Sequence, residues 1–134
     1  MAIINTFAKC LESPYLVEDA DASRRIGEML TKAADRLEAA ANLDASGQGD
    51  PADVVLLGYE AMFCCLRALL YAKGYREKGL LCLLLACQAL YVAPGELDAE
   101  HLRNFELAQR LKLAPNDAIR HASALVKRTL ELLG

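Results

Sequence analysis

The sequence contains no tryptophan, and only 6% of its 134 residues are aromatic. Alanine and leucine dominate instead, and this balance favours helices over strands. The formal net charge is only -3, so the chain lacks the overall positive charge that is typical of nucleic-acid-binding proteins. This composition predicts a folded, helical protein, and leaves room for a local basic patch.

Motifs for metal or redox chemistry are also missing. The five cysteines form no C-x-x-C motif, and the chain has only two histidines. Zinc sites need several such ligands at close spacing. We therefore expect no metal and no cofactor, and we interpret the cysteines as small buried hydrophobic residues in a reducing compartment. They are Cys10, Cys64, Cys65, Cys82 and Cys87.

The sequence gives little sign of export or membrane insertion. Its first residues lack the charged start and long apolar core of a signal peptide. The apolar run at 54–72 contains Glu60 and Arg67, and the run at 79–93 has only about 15 uncharged residues, fewer than the roughly 20 that span a membrane. We predict a cytoplasmic protein without membrane association.

The segment from Val54 to Lys73 organises the predicted fold. It contains no proline and is apolar on nearly every side. Its internal charges, Glu60 and Arg67, follow the preceding Asp53 at intervals of seven residues and therefore lie along one narrow stripe. Such a helix belongs inside a bundle. Residues 80–92 form a second, almost uniformly apolar helix in which Gln88 is the only strongly polar residue.

Three one-sided helices are predicted to cover these two, over about 20–43, 96–111 and 117–133, and a short amphipathic helix is predicted over 2–12. The sequence therefore predicts an all-α fold, an antiparallel four- or five-helix up-and-down bundle with short connections. We expect one domain over residues 1–134, in which residues 1–19 form an N-terminal extension and residues 20–133 form the bundle.

The second apolar helix is expected to keep an exposed apolar face, because short neighbouring helices cover it incompletely. Such a face commonly forms a subunit interface. We therefore predict a homodimer. The predicted interface residues are Leu80, Leu83, Leu84 and Cys87.

Two segments carry a resemblance to a known family. The first is Leu-Thr-Lys-Ala-Ala-Asp-Arg-Leu-Glu-Ala-Ala-Ala at residues 30–41, and a glycine-containing loop follows it. The second is Gly-Tyr-Glu-Ala-Met-Phe-Cys-Cys-Leu-Arg-Ala-Leu-Leu-Tyr-Ala-Lys-Gly at residues 58–74. Together they resemble the HEPN domain of small bacterial and archaeal proteins. The resemblance covers roughly residues 22–133, and its most specific parts are 59–63 and 68–74.

The resemblance implies a bundle of four or five helices that commonly dimerises. Many members of the family act with a minimal nucleotidyltransferase as a toxin–antitoxin pair. Active members are metal-independent ribonucleases with an arginine, a polar residue, four to six further residues and then a histidine. In that motif the histidine handles the proton of the RNA 2′-hydroxyl and the arginine stabilises the charge that develops on the phosphate.

This sequence departs from the ribonuclease motif. Arg103 and Asn104 resemble its start, but the place of the histidine falls at 108–110, with Gln109 at its centre. A glutamine side chain cannot act as a general base. Where relatives often have Lys-Ser-His after the central helix, this chain has Lys-Gly-Leu at 78–80. We therefore predict a non-catalytic interaction module whose partner is a nucleotidyltransferase-like protein or a second copy of the chain.

Two alternatives stay open at this stage. One is a ribonuclease in which His101 or His121 works with Arg103, and the other is a nucleotide-binding helical protein. The side chains on one part of the fourth long helix are either a solvated face or a contact for anions and RNA phosphates; they are Arg103, Asn104, Gln109 and Arg110. Glu60 and Arg67 are expected to pair with neighbouring helices or across a dimer, since lone charges on a buried helix are costly.

Overall fold

The computed structural model describes residues 3–134 and confirms the predicted all-α class. Two short strands, a 3₁₀ helix at Ala20–Arg25 and a π-helical turn at Gln88–Val92 accompany the α-helices. Within the described residues the α-helices are α1 Phe7–Leu11, α2 Ile26–Ser46, α3 Pro51–Ala72, α4 Leu80–Cys87, α5 Ala99–Gln109 and α6 Pro115–Leu133.

Helix α3 lies at the centre and contacts α2, α4, α5 and α6. It begins three residues before the predicted segment, because the Asp50 carboxylate accepts a hydrogen bond of 2.9 Å from the Ala52 N–H and Pro51 occupies the first turn. It ends just before Gly74, whose φ of +84° suits a glycine. By length and composition α3 could cross a membrane, but 61% of its most apolar window is buried inside the protein.

An aromatic cluster holds α5 against α3. The ring of Phe105 is fully buried and stacks on Tyr59, with centroids 4.9 Å apart. Phe63 meets Phe105 edge-on at 5.8 Å. Aromatic pairs of this kind add about 0.5–1.5 kcal/mol each beyond the apolar area that they bury. The cluster therefore determines which face of α5 points inward.

The predicted helix at 80–92 is present, but its two halves differ. The first half is α4, and the second is the π-helical turn, in which the Ala93 N–H donates to the Gln88 carbonyl at 2.9 Å. In that turn the buried Tyr91 hydroxyl donates to the Leu69 carbonyl at 2.6 Å. The N-terminal helix is shorter than the predicted 2–12, of which residue 2 lies outside the described part of the chain.

A small sheet replaces a predicted turn. Strand β1, Leu16–Glu18, pairs antiparallel with strand β2, Tyr75–Glu77, so that Leu16 lies opposite Glu77. By themselves, the mixed charges of residues 75–78 predict a polar turn. Three-residue strands are too short to show an alternating pattern, so only the meeting of the two segments reveals them.

A disulfide joins Cys10 of α1 to Cys82 of α4, with 5.7 Å between the two Cα atoms. The prediction of five unpaired cysteines was therefore wrong for these two. They are 72 residues apart, and sequence cannot show that the fold places them together. Cys65 and Cys87 are buried free thiols, as predicted, and Cys64 is half-buried. Such a bond is rare in reducing compartments. The cytoplasmic location stays a prediction.

Candidate functional site

A surface groove of about 500 Å³ runs between α4 and α5, and we call it the α4–α5 groove. Its apolar residues come from both helices, and Leu81 has 54% of its surface exposed. Charged side chains of α5 border this leucine surface. The residues that line it are Leu81, Leu84, Leu85, Gln88, Ala99, Leu102, Arg103, Glu106, Leu107 and Arg110.

The groove unites two sets of residues that the sequence analysis treated separately. Leu84 was predicted as an interface residue, whereas Arg103 and Arg110 were predicted to form either a solvated face or a contact for anions. The short connection after the π-helical turn returns the chain to start α5, where Asp98 caps the helix through the Glu100 N–H at 3.0 Å. The sequence predicts which residues share a face of α4 and which share a face of α5. Only the turn between the two helices brings these faces together.

The exposed side of α5 carries an alternating row of charges. Glu100, Arg103, Glu106 and Arg110 follow one another at spacings of three, three and four residues, so they lie on one side of the helix. Arg103 and Glu100 form an ion pair, and both side chains are more than half exposed. Exposed pairs contribute little to stability. This row is therefore available to a partner's charges.

The other predicted interface residues lie elsewhere. Leu83 and Cys87 have no exposed surface, so a partner that docks on the folded subunit cannot reach them. The Cys87 thiol donates to the Leu66 carbonyl at 3.7 Å, and burial raises its pKa to about 12. Leu80 is half-buried and lines a smaller cavity beside Tyr15.

Both histidines lie on the other side of α5, in the seam with α6. His121 Nδ1 is 3.1 Å from the Asn104 side-chain nitrogen. Burial lowers the pKa of His101; Asp98 raises it, and His121 and Arg128 lower it further. Arg128 donates two hydrogen bonds, of 2.9 and 2.8 Å, to the Glu96 carbonyl. The hydrogen bonds of Asn104 with His121 and of Arg128 with the Glu96 carbonyl therefore stabilise the contact between α6 and the α5 segment.

Arg103 and Asn104 are adjacent in sequence but serve different surfaces. Consecutive helical residues point about 100° apart, so Asn104 turns to His121 in the seam while Arg103 lines the α4–α5 groove. Gln109, at the place of the family's histidine, is exposed at the end of α5. Sequence analysis did not find the Asn104–His121 contact, because it depends on where α6 crosses α5.

Two further ion pairs hold the charges of α3. Arg36 Nε of α2 lies 2.9 Å from a Glu60 carboxylate oxygen, and Arg67 Nε donates to Glu77 of β2 at 3.2 Å. The predicted pairing with a neighbouring helix is confirmed for Glu60, whereas Arg67 pairs with a strand. The Glu77 side chain is only 5% exposed, so Arg67 compensates a buried carboxylate.

Residues 3–134 contain no group of three or more His, Cys, Asp or Glu side chains placed to hold a metal ion. Comparison with known protein families, with curated proteins and with solved structures finds no match to this chain. The resemblance to HEPN domains therefore rests on the two sequence segments described above, and the site must be interpreted from its own geometry.

Proposed function

We propose that this chain is a non-catalytic, HEPN-like interaction module that forms a homodimer through the α4–α5 groove. It would act with a nucleotidyltransferase-like protein, as in a toxin–antitoxin pair. The observation that carries the proposal is the groove itself, in which the exposed Leu81 and the half-buried Leu84, Leu85 and Leu107 lie beside a row of alternating charges. An apolar centre with a charged border is typical of protein interfaces.

The charge row of α5 is complementary to a second copy of itself. When two copies lie antiparallel about a twofold axis near residue 105, Glu100 faces the other copy's Arg110 and Arg103 faces its Glu106. Every charge then meets the opposite sign. Twofold symmetry repeats each contact, as in most homodimers. Complementary charges of this kind determine register and orientation more than they determine affinity.

The chemistry around Arg103 supports a non-catalytic function. A ribonuclease of this class needs an imidazole that can exchange a proton beside the phosphate-binding arginine. Here Arg103 pairs with Glu100 on the groove side, whereas His121 pairs with Asn104 in the α5–α6 seam. The position that corresponds to the family's histidine carries Gln109.

A charge exchange across the groove tests the dimer. Arg103→Glu places like charges opposite each other twice per dimer, so we expect the dissociation constant to rise at least about tenfold, which corresponds to about 1.4 kcal/mol. Adding Glu106→Arg restores opposite signs at both contacts, and the double variant should dimerise again. Light scattering coupled to size-exclusion chromatography over a range of concentrations measures this.

Arg120→Glu is the matched control, because Arg120 is an exposed arginine of α6 that forms the same kind of local pair, with Asp117. It should leave the dissociation constant unchanged. A parent protein that stays monomeric at every concentration would rule out the dimer, and so would failure of the double variant to recover while the control behaves normally.

The partner and the lack of catalysis are tested separately. We expect purified protein to leave RNA intact without added metal, and a tagged copy to retain a nucleotidyltransferase-like protein encoded beside it. RNA cleavage that Arg103→Ala abolishes would establish the ribonuclease alternative. Absence of such a neighbouring gene, or of binding to its product, would remove the partner from the proposal but not the homodimer.

A further inference from the structure

A second cavity, of about 310 Å³, opens between α2 and α3, and we call it the α2–α3 cavity. Its lining includes the thioether of Met29, the ring of Phe63 and the half-buried thiol of Cys64. This apolar surface belongs to a different helix pair from the α4–α5 groove, and none of its residues lines the groove. The cavity therefore has no part in the proposed dimer.

Three of the side chains that line this cavity are cationic. Lys32, Arg36 and Arg67 line it, whereas Glu60 is its only carboxylate. The carboxylates that pair with Lys32 and Arg67 are Glu28 and Glu77, and neither lines the cavity. A concave site lined mostly by one sign of charge concentrates ions of the opposite sign.

Arg36 and Arg67 each contact their carboxylate partner only through the Nε atom of the guanidinium. Arg36 approaches Glu60 through Nε at 2.9 Å, and Arg67 donates to Glu77 through Nε at 3.2 Å. Within residues 3–134, neither guanidinium makes a hydrogen bond through its terminal nitrogens. A guanidinium has five N–H donors in a planar fork that suits phosphate oxygens. The carboxylates thus orient the two arginines and leave their terminal donors for a ligand.

Aromatic and flexible contacts complete the arrangement. The Arg67 guanidinium lies 4.6 Å from the centre of the Phe63 ring, which holds the cation over the apolar surface. Lys32 forms an exposed pair with Glu28 at 3.3 Å. Exposed pairs of this kind are weak, so the ammonium can turn toward an anion in the cavity at little cost.

We propose that the α2–α3 cavity binds a small organic phosphate, a monoester whose phosphate contacts Lys32, Arg36 and Arg67 and whose apolar group rests on Met29 and Phe63. The volume is at the lower end of small-molecule sites, which hold about 300–1,000 Å³. A single ring with one phosphate fits this size. The inference is independent of the function proposed above, since it concerns different helices and a different ligand.

Alkylation of Cys64 reports occupancy of this cavity. The other unpaired thiols, Cys65 and Cys87, are buried, so iodoacetamide should label Cys64 first in the disulfide-bonded protein. The probes are phenyl phosphate and inorganic phosphate, with sodium chloride at matched ionic strength as the reference. At about ten times its Kd, phenyl phosphate should leave about a tenth of the cavities open and slow labelling about tenfold. Mass spectrometry of peptides measures the rate.

Two variants with the same change of charge decide the result. Arg36→Gln should abolish the protection, whereas Arg24→Gln, which removes an exposed arginine outside the cavity, should preserve it. Phosphate protection no greater than that by chloride, or equal protection in Arg36→Gln, would overturn the proposal. Equal protection by inorganic phosphate and phenyl phosphate at the same concentration would overturn the assignment of the apolar surface to the ligand.

Discussion

His101 shows how its neighbours alter a single side chain. It lies half-buried between α5 and α6, and loss of hydration lowers the pKa of its imidazole, with further lowering by His121 and Arg128 against the effect of Asp98. The folded protein therefore holds this histidine neutral at pH values where the unfolded chain binds a proton. The free energy of unfolding must therefore fall as the pH decreases below 6.5, the ordinary pKa of histidine.

His101→Gln removes this proton linkage. In the parent protein the unfolded state binds more protons between pH 6.5 and the lower native pKa, so the free energy of unfolding decreases through that interval as the pH falls. The variant should show a flatter profile there and an unchanged profile above it. Urea unfolding at a series of pH values measures both. Parallel profiles for parent and variant would contradict the assigned shift.

At the scale of elements, the crossing of α3 and α6 depends on a glycine. A Cβ atom placed on Gly58 would lie 3.2 Å from the Ala118 carbonyl oxygen and 3.3 Å from the Ala118 Cβ. Both atoms belong to a fully buried residue of α6 and have no flexible side chain that could move away. The absence of a side chain at Gly58 therefore sets the distance between the two helices.

Gly58→Leu should push α6 away from α3 and lower the free energy of unfolding by about 1–3 kcal/mol, the usual cost of overpacking. Gly27→Leu is the matched control, because Gly27 also lies in a helix and a Cβ there would meet nothing within 4 Å. The control should be neutral or slightly stabilising. Chemical denaturation of the two variants compares them, and equal stabilities would show that the crossing tolerates the added volume.

For the whole molecule, the disulfide between Cys10 and Cys82 connects the N-terminal segment to the middle of the chain. Strand β1 follows soon after α1 and pairs with β2, so this segment is held at two points. The cross-link closes a loop of about 72 residues. Closing such a loop restricts the unfolded chain far more than the folded one.

Replacing both cysteines, as Cys10→Ser with Cys82→Ser, should lower the free energy of unfolding by up to about 4 kcal/mol according to the chain-entropy relation. Cys64→Ser is the control, because Cys64 forms no disulfide. Urea unfolding without a reductant compares the three proteins. A double variant as stable as the parent would show that the bond contributes nothing to the folded state under those conditions.

The sequence alone determined that long helices form and approximately where they lie. Apolar composition and spacing identified α3, and Asp50, Pro51 and Gly74 marked its boundaries because capping and turn chemistry act within a few residues. The all-α class follows from the same local signals. The resemblance to HEPN domains, the homodimer and the partner stay predictions, since they concern relatives and molecules outside this chain.

Only the tertiary structure decided the contacts between distant segments. The β1–β2 sheet, the disulfide, the α4–α5 groove and the Asn104–His121 pair each join residues from different elements. Hydrophobic periodicity shows which face of a helix turns inward. It does not show which neighbouring helix that face contacts, or at which positions along the two helices the contact lies. The two candidate surfaces therefore depend on how the helices cross, which is a property of the packed molecule.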